Sequence, residues 1–172
     1  MTGTLFHAAD PTDMVFCHNI GILKGRLTAV SMLRAANPEL SGARSPYEAF
    51  TREADKEAVF EEVRRRDFPS APSRMGALFF FASQADADAA NAAWWRGQRV
   101  ILRAQIVGAA GVGCFDARHL DAARDNWEAA ARLYWAGERT TSPRLEVIVN
   151  GVAQLTGWEG LAVKFRPSER KA

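Results

Sequence analysis

Two cysteines in 172 residues, Cys17 and Cys114, are too few for a disulfide framework and have no metal-ligand spacing. Both read as small buried apolar residues. No apolar run approaches the ~20 residues that span a bilayer, so no membrane segment is expected. Residues 1–6 have neither a basic region nor a long apolar core, so no signal peptide is expected either. The default compartment is the cytoplasm, with delivery into another cell by a signal-less route left open. Neither sign of charge dominates: 22 basic residues stand against 20 acidic ones, for a net charge of +2. That balance gives no argument for nucleic acid or a membrane surface. Gly-x-Ser-x-Gly, His-Glu-x-x-His and Cys-x-x-Cys are all missing, so serine-hydrolase and zinc-enzyme readings lack support and no metal is expected. Gly108-Ala109-Ala110-Gly111-Val112-Gly113 has the wrong order for a dinucleotide fingerprint and no following lysine for a phosphate loop. It reads as a turn.

What is present has the proportions of a soluble globular domain, with 48% hydrophobic and 24% charged residues. Residues 1–13 read as an irregular lead-in, 14–163 as one domain, and 164–172 as a charged tail. Met14 to His18 is a short apolar run expected as a strand ending at His18. Residues 27–36 are expected as a short helix, stopped by Asn37-Pro38, or as a covering loop. Ser45-Pro46-Tyr47-Glu48 is a capping box with proline at the first helical position. The helix it opens should bury Tyr47, Phe50, Ala54 and Ala58, widened by Val59 and Val63, and end at Arg64-Arg65-Arg66. Ala77 to Ala82 is apolar on both faces and reads as a buried strand. Ser83 caps a helix with Ala87, Ala90 and Trp94 on one face, ended by Gly97. Arg99 to Val107 alternates as a half-buried strand, and residues 121–136 read as an alanine-rich helix. Leu145 to Val149 is a buried strand, and Asn150-Gly151 signals a hairpin into a partner strand over 152–158. The alternating strand and terminal hairpin favour mixed or antiparallel pairing, which makes the fold class α+β.

Three polar residues tied to apolar segments are the candidates for chemistry. Glu146 interrupts a Leu-Val-Ile-Val run. A carboxylate there is either paired or functional, or else it shares a solvent face with Ile148 at a sheet edge. His18 follows an apolar run and is either a satisfied structural histidine or a ligand contact. Arg74, just before the Ala77–Ala82 strand, either pairs with a nearby acid, or holds the proline-rich turn through hydrogen bonds, or offers its fork of donors to phosphate. A His, an Arg and a Glu converging on one cleft would suit an anionic nucleotide.

These residues also carry a resemblance. Glu62-Val63-Arg64 through Phe68-Pro69, Pro72-Ser73-Arg74 and Ala77-Leu78-Phe79 resemble a little-characterised bacterial family with an ADP-ribosyltransferase-like fold. Phe16-Cys17-His18, Tyr134-Trp135-Ala136-Gly137 and Glu146 to Gly151 match its other short motifs, so the resemblance spans roughly residues 14–158. It implies mixed or antiparallel sheets with flanking helices, and NAD as substrate. On that basis His18 would hold a ribose and the nicotinamide amide. The Leu78–Ser83 segment, with Phe80 and Ser83 as its contacts, would wall the nicotinamide pocket. Arg74 would hold the pyrophosphate, and Glu146 would be the catalytic carboxylate.

Two departures matter. The middle strand has no tyrosine to stack on nicotinamide, so Phe79, Phe80 or Phe81 must supply the ring. Arg144 stands two residues before Glu146, where arginine-modifying members have Glu or Gln, which argues against modification of arginine. The expected activity is transfer of ADP-ribose from NAD to an unknown acceptor, whether protein, nucleic acid or small molecule. The alternative is a non-catalytic binding or inhibitor protein that keeps the fold, with Trp94 and Trp95 as the expected contact for a protein partner. Nucleic-acid binding through Arg64 to Arg66 is a third reading, set against the commoner outcome of a solvated helix end.

Overall fold

The computed structural model describes residues 3–51 and 53–162, apart from the side chains of Phe50 and Ala162. The charged tail expected at 164–172, and the domain limit at 163, lie outside those residues. Five strands are described: β1 (Leu5–Ala9), β2 (Arg26–Thr28), β3 (Leu78–Phe81), β4 (Val100–Asp116) and β5 (Leu145–Thr156). Every pairing among them is antiparallel. One edge of β5 takes β3, from Phe81↔Glu146 to Leu78↔Val149, and then β2, from Thr28↔Val152 to Arg26↔Gln154. Its other edge pairs with β4 from Asp116↔Leu145 to Arg103↔Thr156. β4 also pairs with β1, and β1 meets β3 at Phe6↔Phe81. The ring β5–β3–β1–β4 therefore closes into a barrel, with β2 outside it on β5. The fold is mixed α+β in one domain, with an antiparallel sheet.

Alternation along the strands separates two cores. Leu5, Phe80, Leu102, Ala104, Val147, Val149, Ala153 and Leu155 fill the barrel, closed at one end by Cys17 and Ile20 of α1 (Met14–Ile22) and by Leu161 of α7 (Glu159–Ala162). The opposite side of the sheet, with Ile148, Phe79 and Phe115, is covered by α4 (Ala54–Asp67) and α6 (Trp127–Trp135) through Phe60, Val63, Ala130, Ala131, Tyr134 and Trp135. Completing the helices are α2 (Val30–Ala36), α3 (Pro46–Phe50) and α5 (Gln84–Trp95).

Local chemistry sets several of these boundaries as expected. Ser45 accepts from the Glu48 amide while the Glu48 carboxylate accepts from the Ser45 amide, a complete capping box. Ser83 caps α5, which ends with Arg96 and Gly97 both at positive φ. Asn37-Pro38 stops the second helix, although Leu27 belongs to β2.

Elsewhere the structure differs. The lead-in contains β1, a central strand of the barrel. Met14 to His18 is helical, because the Asp13 carboxylate caps the Phe16 amide at 2.9 Å and Cys17 and Ile20, three apart, face the barrel. The helix expected from Ser45 is broken at Thr51 into α3 and α4. Ala54 and Ala58 of α4 face solvent, and Lys56, Glu57, Phe60, Glu61 and Val63 are the buried side. Residues 117–126 form two 3-10 turns before α6 begins at Trp127.

Gly108 to Gly113 is strand rather than turn, and β5 passes through Asn150-Gly151 without a hairpin. Gly151 has no positive φ. A Cβ on it would collide with the Gly108 carbonyl oxygen and lie 2.7 Å from Ala109 Cα. This glycine allows close approach of β4 at two register shifts, between Ile106 and Gly108 and between Ala109 and Gly111.

Candidate functional site

Where β5 begins, its outer face carries Glu146, in the same cross-strand row as Phe81 and Phe6. The α4–α6 layer buries that face, and Glu146 is 6% exposed. It shares a face with Ile148, as alternation predicts, but the face is covered rather than solvated. A lone carboxylate there would be costly, and Arg74, itself 3% exposed, supplies the counter-charge.

The Arg74 guanidinium is the centre of a buried network. Its Nε donates to Glu57 Oε2 at 3.0 Å, its Nη1 to Tyr134 Oη at 2.7 Å and to Glu146 Oε1, and its Nη2 to Tyr47 Oη at 2.8 Å. The hydroxyl of Tyr134 donates to Glu146 Oε1 at 2.7 Å, and that of Tyr47 donates to Glu57 Oε1. Phe79 places its ring 5.1 Å from the guanidinium carbon. Burial pushes both tyrosine hydroxyls upward, against the pull of Arg74. Burial alone would lower Arg74, but Glu146, the two tyrosines and Glu57 outweigh it and hold the guanidinium firmly charged. Of the two sequence readings of Arg74, pairing with acids is the one observed. Four of the five N–H donors expected to reach a pyrophosphate go to protein partners, which leaves one on Nη2.

Both bonds to Glu146 end on Oε1. Among the described residues the buried side-chain polar atom without a partner is Arg144 Nη1 and not Glu146 Oε2, so Oε2 opens to the cavity that Glu146 lines. This cavity has a volume of about 510 Å³. Around it stand Tyr47 and Phe79, Trp94 and Trp95, His7, and Arg99. Aromatic rings with a few converging polar groups are the usual make-up of a small-molecule site.

His7 enters from β1. β1 and β3 share a single residue pair, Phe6↔Phe81, and beyond it the His7 ring bonds the Phe79 carbonyl at 3.1 Å. A carbonyl only accepts, so Nδ1 carries the hydrogen and Nε2 of the neutral ring is left as an acceptor. Burial keeps the imidazole below its ordinary value, with the Phe79 bond opposing and Arg99 adding to the effect. His7 alternates with Phe6 and so stands on the opposite pleat from Glu146. The cavity touches both where the two strands part.

The expected site residues are thus partly brought together. Glu146, Arg74 and Phe80 line the cavity. Phe80 is fully buried in the barrel, its ring 5.7 Å from His7. Ser83 does not line the cavity; its hydroxyl accepts from the Asp86 amide and donates to the Asp86 carboxylate, so it is a helix cap. His18 is an exposed residue of α1 and is not among the lining residues. The histidine on an early strand is His7. Its alternation with Leu5 and Ala9 was the available signal. The sequence does not single out Glu57, although Glu57 and Glu61 flank Phe60 on one helical face, and it presents Tyr134 only as part of a short motif beside Trp135. Trp94, 40% exposed, and Trp95 help to wall the cavity.

Among the described residues no group of His, Cys, Asp and Glu could hold a metal ion, and no helix is long and apolar enough to cross a membrane. No curated protein matches the chain. The model of one family matches residues 32–159, from α2 through the end of β5 and into α7, and so takes in the whole Arg74–Glu146 network but not His7. With most of its length covered, the chain belongs to the family described as "Protein of unknown function (DUF2441)".

Proposed function

We propose that the cavity binds NAD and that the protein transfers ADP-ribose from it, on a fold of the ADP-ribosyltransferase type. One observation supports this most directly: Glu146 is fixed through Oε1 by Arg74 and Tyr134 while Oε2 remains open to a cavity that His7 also lines. When the bond between nicotinamide and ribose breaks, its electron pair leaves with neutral nicotinamide and positive charge develops on the ribose. A carboxylate held in place beforehand stabilises that charge without reorganising. The acceptor's lone pair then forms the new bond to the ribose carbon, and its proton passes to water. His7, rather than His18, is the histidine placed to accept a hydrogen bond from a ribose hydroxyl through Nε2. Phe79 to Phe81 and the two tryptophans supply the ring surfaces. Arg74 acts as a positioning residue for Glu146. The acceptor is a protein, nucleic acid or small molecule other than an arginine side chain.

A second reading, binding without cleavage, is favoured by a specific feature: Arg74 already neutralises Glu146, and the pleat separates it from His7. Incubation with NAD separates the two. Transfer predicts nicotinamide release that Glu146→Gln abolishes with folding unchanged, since the glutamine amide keeps an oxygen for Arg74. Binding alone predicts heat on titration with NAD but no nicotinamide. Full release by the Glu146→Gln protein would overturn the proposed role of the carboxylate.

A further inference from the structure

Among the described residues three cationic side chains line the cavity and a fourth, not a lining residue, lies against the ring of Trp94, which is one; the three are already balanced. Arg74 pairs with Glu57 and Glu146, Lys56 with Glu53 and the Leu120 carbonyl, and Arg99 with Asp10. The fourth, Arg144, is 8% exposed. Its Nη1 is the one buried side-chain nitrogen or oxygen among the described residues that has no hydrogen-bond partner. None of the hydrogen bonds among those residues comes from its guanidinium; the bond it makes to Asp116 uses its main-chain amide. A buried cation left in this condition is uncommon and calls for an explanation.

Its surroundings provide one. The guanidinium carbon lies 4.5 Å from the centre of the Trp94 ring, and Nη1 is 3.9 Å from Asp121 Oδ2, beyond hydrogen-bonding range. Both Trp94 and Asp121 line the cavity. The same Asp121 oxygen is 3.9 Å from Nη1 of Arg118. Two guanidinium groups thus flank one carboxylate oxygen, which sits at the edge of the cavity on an exposed side chain and bonds to neither. Two positive charges share one negative charge.

We infer that this corner is an oxyanion site that takes a phosphate group of the ligand, with Arg144 as its main donor, Arg118 as the second, and Asp121 as the carboxylate displaced on binding. A diphosphate, with one negative charge or more on each phosphorus, balances the pair, whereas a single carboxylate would replace Asp121 with its equal. Guanidinium forks match phosphate oxygens bidentately. The Trp94 ring, itself on the cavity wall, covers the guanidinium from one side, so a ligand reaches it by displacing the Asp121 side chain. This assignment rests on the cavity being a ligand site, and it gives to Arg144 and Arg118 the phosphate contact for which Arg74 has a single N–H donor left.

The test is calorimetric titration of the whole protein with inorganic pyrophosphate, and with succinate as a carboxylate control, at low ionic strength. Wild type should bind pyrophosphate in preference to succinate. Arg144→Gln should weaken binding about tenfold or more, the expected loss for a charge-assisted contact, and Arg118→Gln should weaken it less. Asp121→Asn removes the competitor from an exposed position and should tighten binding, which a merely structural role would not produce. Unchanged binding in Arg144→Gln, no gain in Asp121→Asn, or preference for succinate would each overturn the assignment. The same titrations separate it from the NAD reading. If pyrophosphate binding depends on Arg144 in a protein that releases no nicotinamide, the oxyanion site stands and cleavage falls. If Glu146-dependent release occurs and pyrophosphate binding ignores residue 144, cleavage stands and the oxyanion site falls.

Discussion

The two faces of β5 are stabilised in different ways. On the inner face, Val147, Val149, Ala153 and Leu155 pack with Phe80, Leu102 and Leu5 in an apolar cluster, so that side depends on shape and apolar area. On the outer face, one residue away, Glu146 joins Glu57, Tyr47 and Tyr134 around Arg74, and that side depends on balanced charge. A buried ion pair contributes little net stability over an apolar substitute, but removing one partner leaves an uncompensated charge. The inner face holds the barrel together, and the outer face fixes the direction of a carboxylate at some cost in stability.

Substitutions on the two faces should therefore fail for different reasons. Arg74→Met leaves two buried carboxylates without their cation and should cost about 3–5 kcal/mol in urea unfolding. Adding Glu57→Gln and Glu146→Gln to it should recover much of the loss. Phe80→Ala on the inner face should cost about 3–5 kcal/mol as well, and the same two glutamines should recover none of it. Equal recovery in both backgrounds would erase the distinction.

Tyr134→Phe is a smaller step, about 1–3 kcal/mol, because it removes one hydroxyl that bridges Arg74 and Glu146 and leaves the ring packed against Phe60 and Phe115. Thermal unfolding would measure it. If nicotinamide is released by wild type, the rate should fall in this variant, since one of the two anchors of Oε1 is gone.

The smallest effect is one of pH. The Glu48, Glu61 and Asp116 carboxylates are held below their ordinary values. In each case burial works the other way but is outweighed: by Arg34 and Ser45 at Glu48, by Arg64 and Ser73 at Glu61, and by Thr140 and neighbouring amides at Asp116. Their folded values lie below the unfolded range of about 4, so the unfolded chain takes up protons first as the pH drops. The stability they confer is present above that range and is lost as pH falls through the folded values. Urea midpoints should decline gently from about pH 6.5, where the unfolded chain protonates His7 and the buried ring resists, and more steeply below about pH 5; Glu48→Gln should make the lower part of the decline shallower.

How much could be read from the sequence depended on how local each signal was. The Ser45 and Ser83 caps act within one helical turn, and both were legible as they stand. β3 was legible because four successive apolar residues have few alternatives, and Glu146 because a carboxylate in such a run needs a partner. His7 was missed because β1 has only five residues near the end of the chain and is a strand by virtue of its partners β3 and β4. Asn150-Gly151 gave a strong local hairpin signal, yet β5 runs on because β4 and β2 pair with it on both sides of that point. Cys17 and Ile20 fit a helix as readily as a strand, and only the Asp13 cap decided between them. Arg74 and Tyr134 lie 60 residues apart, and nothing in either neighbourhood announces the other.

β5 is the partner of β2, β3 and β4 alike. During synthesis every one of those strands leaves the ribosome before it, so β3, β2 and β4 cannot complete their pairing with it until residues 149, 154 and 156 have emerged. Contacts of such long sequence separation form slowly, and until they form the apolar segments Leu78–Phe81 and Val100–Ile106 lack the strand that shields them. The growing chain should thus be most in need of a chaperone just before β5 appears.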